Sequence, residues 1–266
     1  MDIANSIKDK GFYYIPDFIS EFKVNALLNS IKKLNSEIGK DKATVFYEGK
    51  KLLLKDLINF KLKKLLKSSQ IIFSKENNFF SEISSNIFKD HYLKRIDYYS
   101  SSISAEPIIN WHNDISYSGS EKVVKKFHHP NFYKLRFFLY LTDVEYKNGS
   151  LAILPSSQKV SSAVASLLYD KKIEYKPHWS LQQFCKYIDS SDVKDKLINI
   201  IGTQQYNDFI SNTGFIFNKN DTDQYDVQSK KGGLVIFDDR CFHRGSNCSK
   251  SERSVMRYIY SSNSIN

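Results

Sequence analysis

The spacing of hydrophobic and polar positions changes about a third of the way along this chain of 266 residues. Before about residue 91, apolar side chains recur at the three- and four-residue intervals of helices with one buried face. Residues 2–9 predict a short helix ended by Gly11, followed by an extended FYYIP segment that stops at Pro16. A second helix is predicted from about Ser20 to Ile38, with an apolar stripe of Val24, Leu27, Leu28, Ile31 and Leu34.

From about residue 91 the pattern becomes one of short strands. Aromatic and β-branched segments alternate with polar turns that contain Gly or Asn, which is typical of strands with one buried face. The segments are YLKRIDYY, IINWHNDIS, YKLRFFLYLTDV, SLAILP, GFIFN, GLVIFDD and SVMRYIYS. The chain is therefore predicted to be mainly β with flanking helices, its β body lying behind an N-terminal helical layer.

A long polar segment, about residues 159–213, interrupts this β pattern between SLAILPSSQ and GFIFN. It contains helical patches such as SSAVASLLYD and WSLQQFCKYI. An excursion of this length within a compact domain is usually functional or a separately packed element, so we interpret it as a partly helical lid insertion. The length of the chain fits one domain spanning residues 1–266.

Composition favours a globular protein in a reducing compartment. Hydrophobic residues make up 41% of the chain and aromatic residues 14%, which argues against disorder. Three cysteines without a framework spacing argue against disulfide bonds. The N-terminus MDIANSIKDKGFYYIP lacks the apolar run of a secretory leader, and no stretch approaches the ~20 apolar residues of a membrane span. We expect a cytoplasmic protein without a transmembrane segment.

The net charge of +10 and a pI near 9.2 raise the possibility of an anionic partner. The lysines are spread over the whole chain, however, so the charge equally fits a compositional habit of the source. The most concentrated stretch is KKLLLKDLINFKLKKLLK, residues 50–67, whose leucines recur at helical spacing opposite lysines. An amphipathic helix packed on the core is the simpler interpretation, and contact with a membrane surface is the alternative.

The segment NWHNDIS, residues 110–116, carries two candidate metal ligands. In a strand, His112 and Asp114 point to the same face while Asn113 points away. An H-x-D triplet is common by chance, but His243 follows the apolar strand GLVIFDD and Arg253 opens the next strand. Two histidines and a carboxylate form a facial triad that leaves half of an octahedral Fe(II) site open. Arg253 offers a planar charged fork suited to the far carboxylate of a bound dicarboxylate.

Four ordered motifs resemble the phytanoyl-CoA dioxygenase (PhyH) family of Fe(II)/2-oxoglutarate-dependent oxygenases. IKDKGFYYIPDFISEFKVNALLNSIKKL resembles the family's opening helix, strand and second helix, and WHND resembles its metal-binding H-x-D. LTDVEYKNGSLAILPSSQK resembles its central segment, with Gln158 where histidine is usual. GGLVIFDDRCFHRGSNCSKSERS resembles its last block. The spacing from His243 to Arg253 is one residue shorter than the family pattern, so Arg257 is a second candidate for the role of Arg253.

The resemblance implies a double-stranded β-helix, the jelly roll or cupin-like fold, and a set of roles. His112, Asp114 and His243 would be the catalytic iron ligands, and Arg253 would bind the C5 carboxylate of 2-oxoglutarate. Asn113, Phe138 and Arg95 are further candidates for contact with this cosubstrate. O2 would be the other cosubstrate. Because iron halogenases of similar fold lack the carboxylate ligand, Asp114 favours hydroxylation of a C–H bond over chlorination.

Several residues around the triad each fit two interpretations. Asp238 or Asp239 could orient a ligating imidazole, and each could equally cap a strand end. Cys241 shares a face with His243 and fits either a pocket wall or a buried, inert thiol. The remaining histidines are expected at the surface or in loops, although His178 in the lid could meet substrate; they are His91, His128, His129 and His178.

Two other functions remain open at this point. Three protein ligands and an open position also suit Zn(II), in a hydrolase or a jelly-roll protein without oxygenase activity. A basic module for nucleic acid or an acidic surface is the remote alternative, and no nucleic-acid-reading motif supports it. The favoured expectation is an oxygenase that hydroxylates a small metabolite or a carrier-linked substrate and releases succinate and CO2. The excess positive charge favours an anionic substrate.

Overall fold

The computed structural model describes residues 2–38, 43–48, 78–114, 132–176, 180–219 and 223–262. Their strands are β1 (Phe12–Ile15), β2 (Ala43–Glu48), β3 (His91–Ser101), β4 (Ile109–His112), β5 (Lys134–Tyr140), β6 (Leu151–Ile153), β7 (Asp226–Val227), β8 (Leu234–Asp238), β9 (His243–Gly245) and β10 (Arg253–Ser262). The predicted segments therefore form strands, with one exception described below.

The strands form two antiparallel sheets. The large sheet has the order β1–β8–β5–β10–β3–β2, and the small sheet has the order β4–β9–β6–β7. Neighbours such as β8 and β5 are far apart in the chain, which is the connectivity of a jelly roll rather than a meander. The predicted fold class, mainly β with flanking helices and a double-stranded β-helix core, is confirmed.

Side chains along the central strands of the large sheet point alternately to its two faces, and each face carries its own apolar cluster. Phe138, Tyr140, Val235, Phe237 and Val255 pack with residues of the small sheet, between the two sheets. Their neighbours along the same strands face the other way, onto the N-terminal helices; these are Phe137, Leu139, Leu234, Ile236, Met256 and Tyr258. The inner face of the large sheet therefore looks onto the small sheet.

The N-terminal helices cover the outer face of the large sheet. They are α1 (Ile3–Lys10), α2 (Glu21–Ile38) and α3 (residues 78–87). Gly11 ends α1 in the left-handed conformation with φ 87°, and its amide donates to the carbonyl of Ile7. Val24, Leu27 and Ile31 of α2 are buried in the outer cluster. The predicted first helix, its end at Gly11 and the apolar stripe of the second helix are confirmed over the described side chains.

The long excursion between β6 and β7 is largely helical over its described residues. It comprises α4 (Ser157–Tyr169), α5 (Leu181–Ile188), α6 (Ser191–Ile201) and α7 (Thr203–Lys219), which we call the helical insertion. Its apolar side chains form a cluster of their own with Leu154 and Phe242 of the β body. This agrees with a separately packed element, although its predicted role as a lid stays a prediction.

The prediction of a strand at GFIFN is wrong. Residues 214–218 lie inside α7, and Ile216 is buried in the cluster of the helical insertion. A short apolar run does not by itself distinguish a strand from part of a helix. Here the buried partners of Ile216 are other helices, so tertiary packing decided the matter. The insertion also extends beyond the predicted limits of 159–213.

Some predictions fall on residues that the structure does not describe. The amphipathic stretch 50–67 and the histidines His128, His129 and His178 lie outside the described residues. In the part of the chain that is described, no helix is long and apolar enough to cross a membrane.

Candidate metal centre

His112 and His243 lie directly opposite each other in the small sheet. His112 ends β4, His243 begins β9, and the two residues are partners in the antiparallel register of these strands. Their ring centroids are 4.3 Å apart, and both side chains are buried. Strand pairing thus brings together two residues that are 131 positions apart in the sequence.

Backbone carbonyls hold the two imidazoles in the same way. The Nδ1 atom of His112 lies 2.6 Å from the carbonyl oxygen of Asn110, and Nδ1 of His243 lies 2.9 Å from that of Cys241. We assign the proton to Nδ1 in both rings, because a carbonyl can only accept. Each Nε2 is then left with a lone pair for a metal ion. Burial lowers the pKa of His243 to about 3, so its ring is neutral at physiological pH.

Asp114 follows β4 and turns its carboxylate towards both rings. Its Oδ1 lies 3.8 Å from Nε2 of His112, and its Oδ2 lies 3.4 Å from Nε2 of His243. Burial favours the neutral carboxyl, but attraction to Arg136 and to the two imidazoles outweighs it and lowers the pKa of Asp114 to about 2. The group is therefore a carboxylate, which is the form that binds metal ions.

The three residues fit a single ion. One donor atom from each of His112, Asp114 and His243 lies within 4.8 Å of the others, and no other such group of histidine, cysteine or acidic residues occurs in the described chain. Two neutral imidazoles and one carboxylate match a 2-His-1-carboxylate facial triad, which suits Fe(II) and leaves positions for further ligands. The structure thus brings together the three residues that the sequence predicted.

Arg136, which was not predicted, contacts the acidic ligand. Its Nη2 lies 2.7 Å from Oδ2 of Asp114, and its Nε donates to Oδ1 of Asp239. Asp239 is buried and also has Nζ of Lys134 at 3.5 Å. The sequence did contain an indication: Arg136 interrupts the apolar strand KLRFFLY on the same face as Phe138 and Tyr140.

The prediction that Asp238 or Asp239 orients an imidazole is wrong. Carbonyl oxygens hold both Nδ1 atoms. Asp238 instead accepts from Arg240 through both of its oxygens, and Asp239 pairs with Arg136 and Lys134. The main chain of Asp239 nevertheless helps to place the site, since its carbonyl accepts from the amide of Asp114 at 3.3 Å.

Arg253 lies buried on the inner face of β10. Its Nη1 donates to the carbonyl of Gly149 at 3.1 Å, and its Nε has no hydrogen-bond partner among the described residues. Ser101, its register partner in β3, likewise has a buried hydroxyl without a partner in the described chain. Buried polar groups are normally satisfied, so these two atoms are candidate contacts for an anionic ligand group.

A backbone contact connects Arg253, in the large sheet, to the small sheet that carries the metal ligands. Gly149, which anchors Arg253, lies four residues before Ile153, and Ile153 is the register partner of His243 in the pairing of β6 with β9. Tyr140 also faces Arg253, and burial raises the pKa of its phenol to about 12. Its hydroxyl is therefore protonated and available as a donor.

Arg95 and Arg257 share one buried carboxylate. Arg95 Nε donates to Asp97 at 2.6 Å, while Nε and Nη2 of Arg257 donate to the two oxygens of Asp97 at 2.7 and 2.9 Å. Arg257 is thus tied to an internal partner, in contrast to Arg253. This difference favours Arg253 over Arg257 as the anion-binding residue, despite the shortened spacing from His243.

The remaining predicted residues lie around the centre. Asn113 is buried and donates to the hydroxyl of Ser161 in α4 at 3.2 Å, towards the helical insertion. The ring of Phe138 packs on Phe237 at 5.1 Å, and Phe237 packs on His243 at 5.0 Å. Phe138 is therefore separated from the metal ligand by one ring.

Gln158, which replaces the histidine usual at this position, has a structural role. Its side-chain amide donates to the carbonyls of Lys8 and Asp9 at the end of α1, and its Oε1 lies 3.6 Å from the thiol of Cys241. Cys241 is fully buried, and burial raises the pKa of its thiol. The interpretation of Cys241 as a buried, inert thiol fits these contacts. His91, expected at the surface or in a loop, begins β3 and lies 2.8 Å from the hydroxyl of Ser81.

Comparisons with known proteins give a family match. The profile of the phytanoyl-CoA dioxygenase (PhyH) family matches residues 7–255, which is most of the chain. A comparison with curated protein sequences gave no match.

Solved structures resemble this chain in fold. HygX from Streptomyces hygroscopicus, with nickel and 2-oxoglutarate bound, has a TM-score of 0.53 at 11% identity, covering 98% of this chain and 86% of that one. SnoK, a non-heme alpha ketoglutarate dependent carbocyclase from nogalamycin biosynthesis, has a TM-score of 0.52 at 13% identity, with coverage of 98% and 83%. EvdMO1 has a TM-score of 0.53 at 11% identity; the match covers 98% of this chain, which spans only 49% of the EvdMO1 chain.

Proposed function

Because the chain belongs to the phytanoyl-CoA dioxygenase (PhyH) family, we propose that it is an Fe(II)- and 2-oxoglutarate-dependent oxygenase. Its substrate would be a small molecule with a C–H bond exposed to the metal centre. One oxygen atom of O2 enters succinate and the other enters the substrate as hydroxyl, while C1 of 2-oxoglutarate leaves as CO2. The balance needs no further reductant, since O2 accepts four electrons, two from oxidation of 2-oxoglutarate and two from oxidation of the substrate C–H bond.

The observation that carries this proposal is the buried His112, Asp114 and His243 group, with donor atoms within 4.8 Å of one another. These residues would hold the iron, which with 2-oxoglutarate supplies the oxidising chemistry. The protein's own contribution is placement. The carbonyls of Asn110 and Cys241 fix both rings with Nε2 facing Asp114, so the ligands need little rearrangement when a metal ion binds.

Arg253 is proposed to bind the C5 carboxylate of 2-oxoglutarate. Its guanidinium is buried between the sheets and has a donor unused by the described residues, next to the unused hydroxyl of Ser101. A carboxylate would satisfy both and would neutralise a buried cation. Contact of Asn113, Phe138 or Arg95 with the cosubstrate stays a prediction.

The direct test is succinate formation. The purified protein, supplied with ferrous iron, ascorbate and 2-oxoglutarate in air, should release succinate slowly, and a suitable substrate from a metabolite panel should accelerate the release. Asp114→Ala should abolish it. If the wild type binds ferrous iron yet forms no succinate with any member of a broad panel, the alternative of a Zn(II) or non-oxygenase jelly-roll protein gains support.

Hydroxylation is the proposed outcome because Asp114 occupies the carboxylate position of the triad. Mass spectrometry of the accelerated reaction would show a gain of one oxygen atom. A loss of two hydrogens would instead indicate desaturation or ring closure, an outcome for which the description of SnoK as a carbocyclase gives a precedent at the level of the fold. A small anionic metabolite, a cytoplasmic location and the absence of a nucleic-acid partner remain predictions.

A further inference from the structure

The two oxygens of Asp114 have different surroundings. Oδ2 lies 2.7 Å from Nη2 of Arg136 and 3.4 Å from Nε2 of His243. The other oxygen, Oδ1, lies 3.8 Å from Nε2 of His112. Each oxygen of the acidic ligand therefore faces one imidazole, and Oδ2 also faces the permanent cation of Arg136.

Arg136 is itself held in place. Its Nε donates to Asp239, a residue that is buried and has Nζ of Lys134 at 3.5 Å. The carbonyl of Asp239 in turn accepts from the amide of Asp114. Arg136 thus joins two carboxylates whose positions are linked through the main chain. An arginine can do this because its guanidinium is a rigid fork with several donors.

We propose that Arg136 is a positioning residue that makes Asp114 a ligand through one oxygen only. This inference rests on the proposed function, since its consequence concerns the positions left for a bidentate cosubstrate. A carboxylate can bind a metal ion through one or both oxygens. A metal ion drawn towards Oδ2 would approach the guanidinium, and like charges repel strongly where the local dielectric constant is low. An ion bound at Oδ1, on the side of His112, would lie farther from the guanidinium and would be repelled less.

The number of coordination positions that Asp114 occupies decides how many remain open for other ligands. Two imidazoles and one carboxylate oxygen occupy three positions of an octahedral ion and leave three open. A 2-oxo acid needs two of these, and O2 needs the third. A second oxygen from Asp114 would take one of them. Arg136 therefore protects the open positions, and its removal should weaken the binding of chelating ligands more than the binding of the metal.

The test compares Arg136→Met with the wild type, with Co(II) as an air-stable stand-in for iron. Removing a cation next to the metal-binding carboxylate should leave the affinity for Co(II) unchanged or raise it. The affinity of the Co(II)-loaded protein for 2-oxoglutarate, measured by calorimetry, should fall at least about tenfold. Its affinity for acetohydroxamate, which chelates through two oxygens and has no carboxylate, should fall to a similar extent.

Two further variants complete the design. Arg136→Lys places a single ammonium that can reach one carboxylate but not both, so chelator affinity should lie between those of the wild type and Arg136→Met. Arg240→Met removes another partly buried arginine, one paired with Asp238 rather than with Asp114. It controls for the loss of a partly buried ion pair and should leave both chelator affinities unchanged.

Each other outcome overturns the inference. If only 2-oxoglutarate binding weakens, Arg136 contacts the cosubstrate carboxylate directly. If Co(II) affinity falls while chelator binding holds, Arg136 supports metal binding instead. If nothing changes, the contact has no effect on coordination. Failure of the proposed function is separate, because a wild type that binds Co(II) and acetohydroxamate but not 2-oxoglutarate still allows the role of Arg136 to be tested.

Discussion

Two arginines on the same face of β10 are assigned different roles because they have different hydrogen-bond partners. Arg253 and Arg257 both point inwards from β10, but Arg257 is bound through two donors to Asp97. Arg253 has one hydrogen bond to a backbone carbonyl and a buried donor without a partner in the described chain. A guanidinium that is already neutralised gains little from an incoming carboxylate, whereas an uncompensated one gains much.

Replacing Arg253 with Met should therefore raise the 2-oxoglutarate requirement sharply. The loss of a desolvated, charge-assisted partner is worth on the order of 2–5 kcal/mol, which corresponds to at least about a thirtyfold rise in the concentration for half-maximal succinate release. Arg257→Met tests the second candidate from the same strand face. A larger rise in Arg257→Met than in Arg253→Met would transfer the role to Arg257.

Gly11, at the end of α1, lies against Cys241 and against Gln158 of α4. A Cβ atom at this position would lie 2.2 Å from Sγ of Cys241 and 2.5 Å from Oε1 of Gln158, and the backbone has φ +87°. Gly11→Ala should destabilise the protein by about 2–4 kcal/mol, since backbone strain and overpacking add. Chemical denaturation measures this difference.

The matched control is Gly214→Ala within α7. Apart from the helix's own backbone and the two chain neighbours, no atom of the described residues lies within 4 Å of a Cβ built there. The same substitution should therefore stabilise the helix by about 0.5–1 kcal/mol. Opposite signs for the two variants are expected. Equal effects would show that the close contacts of Gly11 with Cys241 and Gln158 relax without cost.

At the scale of elements, one aromatic residue attaches the helical insertion to the β body. Phe242 immediately precedes the metal ligand His243 and is almost fully buried. Its ring lies 4.8 Å from Phe184 of α5 and 6.1 Å from Phe209 of α7. Its amide donates to the hydroxyl of Ser157 at the start of α4. Packing of the insertion is therefore connected to the position of a metal ligand.

Phe242→Ala should destabilise the protein by about 3–5 kcal/mol, the usual cost of removing a buried aromatic side chain. Hydrogen exchange should accelerate first in α5 and α7, which lose their shared contact. Phe217→Ala is the control within α7, because Phe217 is 40% exposed; its effect should be below about 0.5 kcal/mol. If hydrogen exchange instead accelerated equally throughout the described chain, the insertion would not loosen independently of the rest of the protein.

At the scale of the whole molecule, the metal centre joins segments that the chain separates widely. Its ligands are His112 of β4, Asp114 two positions later and His243 of β9, and the centre needs the small sheet to be assembled. A ligand that binds only the folded state stabilises that state. Metal binding should consequently stabilise the entire fold rather than one loop.

Adding Fe(II) under anaerobic conditions, or Co(II) in air, should raise the melting temperature. At a free metal concentration of about 100 times the Kd, the stabilisation is about 2.7 kcal/mol. Asp114→Ala should fold, because one carboxylate contributes little packing, and should show almost no metal-dependent shift. A shift of equal size in this variant would place the stabilising ion elsewhere on the protein.

Sequence periodicity predicted which segments form helices and strands more reliably than it predicted the tertiary contacts of those segments. The end of α1 at Gly11 and the apolar stripe of α2 follow from local chemistry, as do the central strands of the sheets. The strand expected at residues 214–218 did not form, because that stretch packs on other helices within the insertion. Likewise, the partners expected for the imidazoles were carboxylates, whereas the folded chain provides carbonyls.

The sequence by itself determined the residue types of the metal centre and the β character of the body, since both depend on spacing over a few positions. His112 and Asp114 are two positions apart in the sequence, and the family motifs identify His243 and Arg253 as their distant counterparts. The tertiary structure decided which partner each charged side chain has. Arg136 contacts Asp114, Arg257 contacts Asp97, and Arg253 keeps a donor that no described residue uses. Such pairings depend on the register between strands that are distant in the chain, which local patterns do not contain.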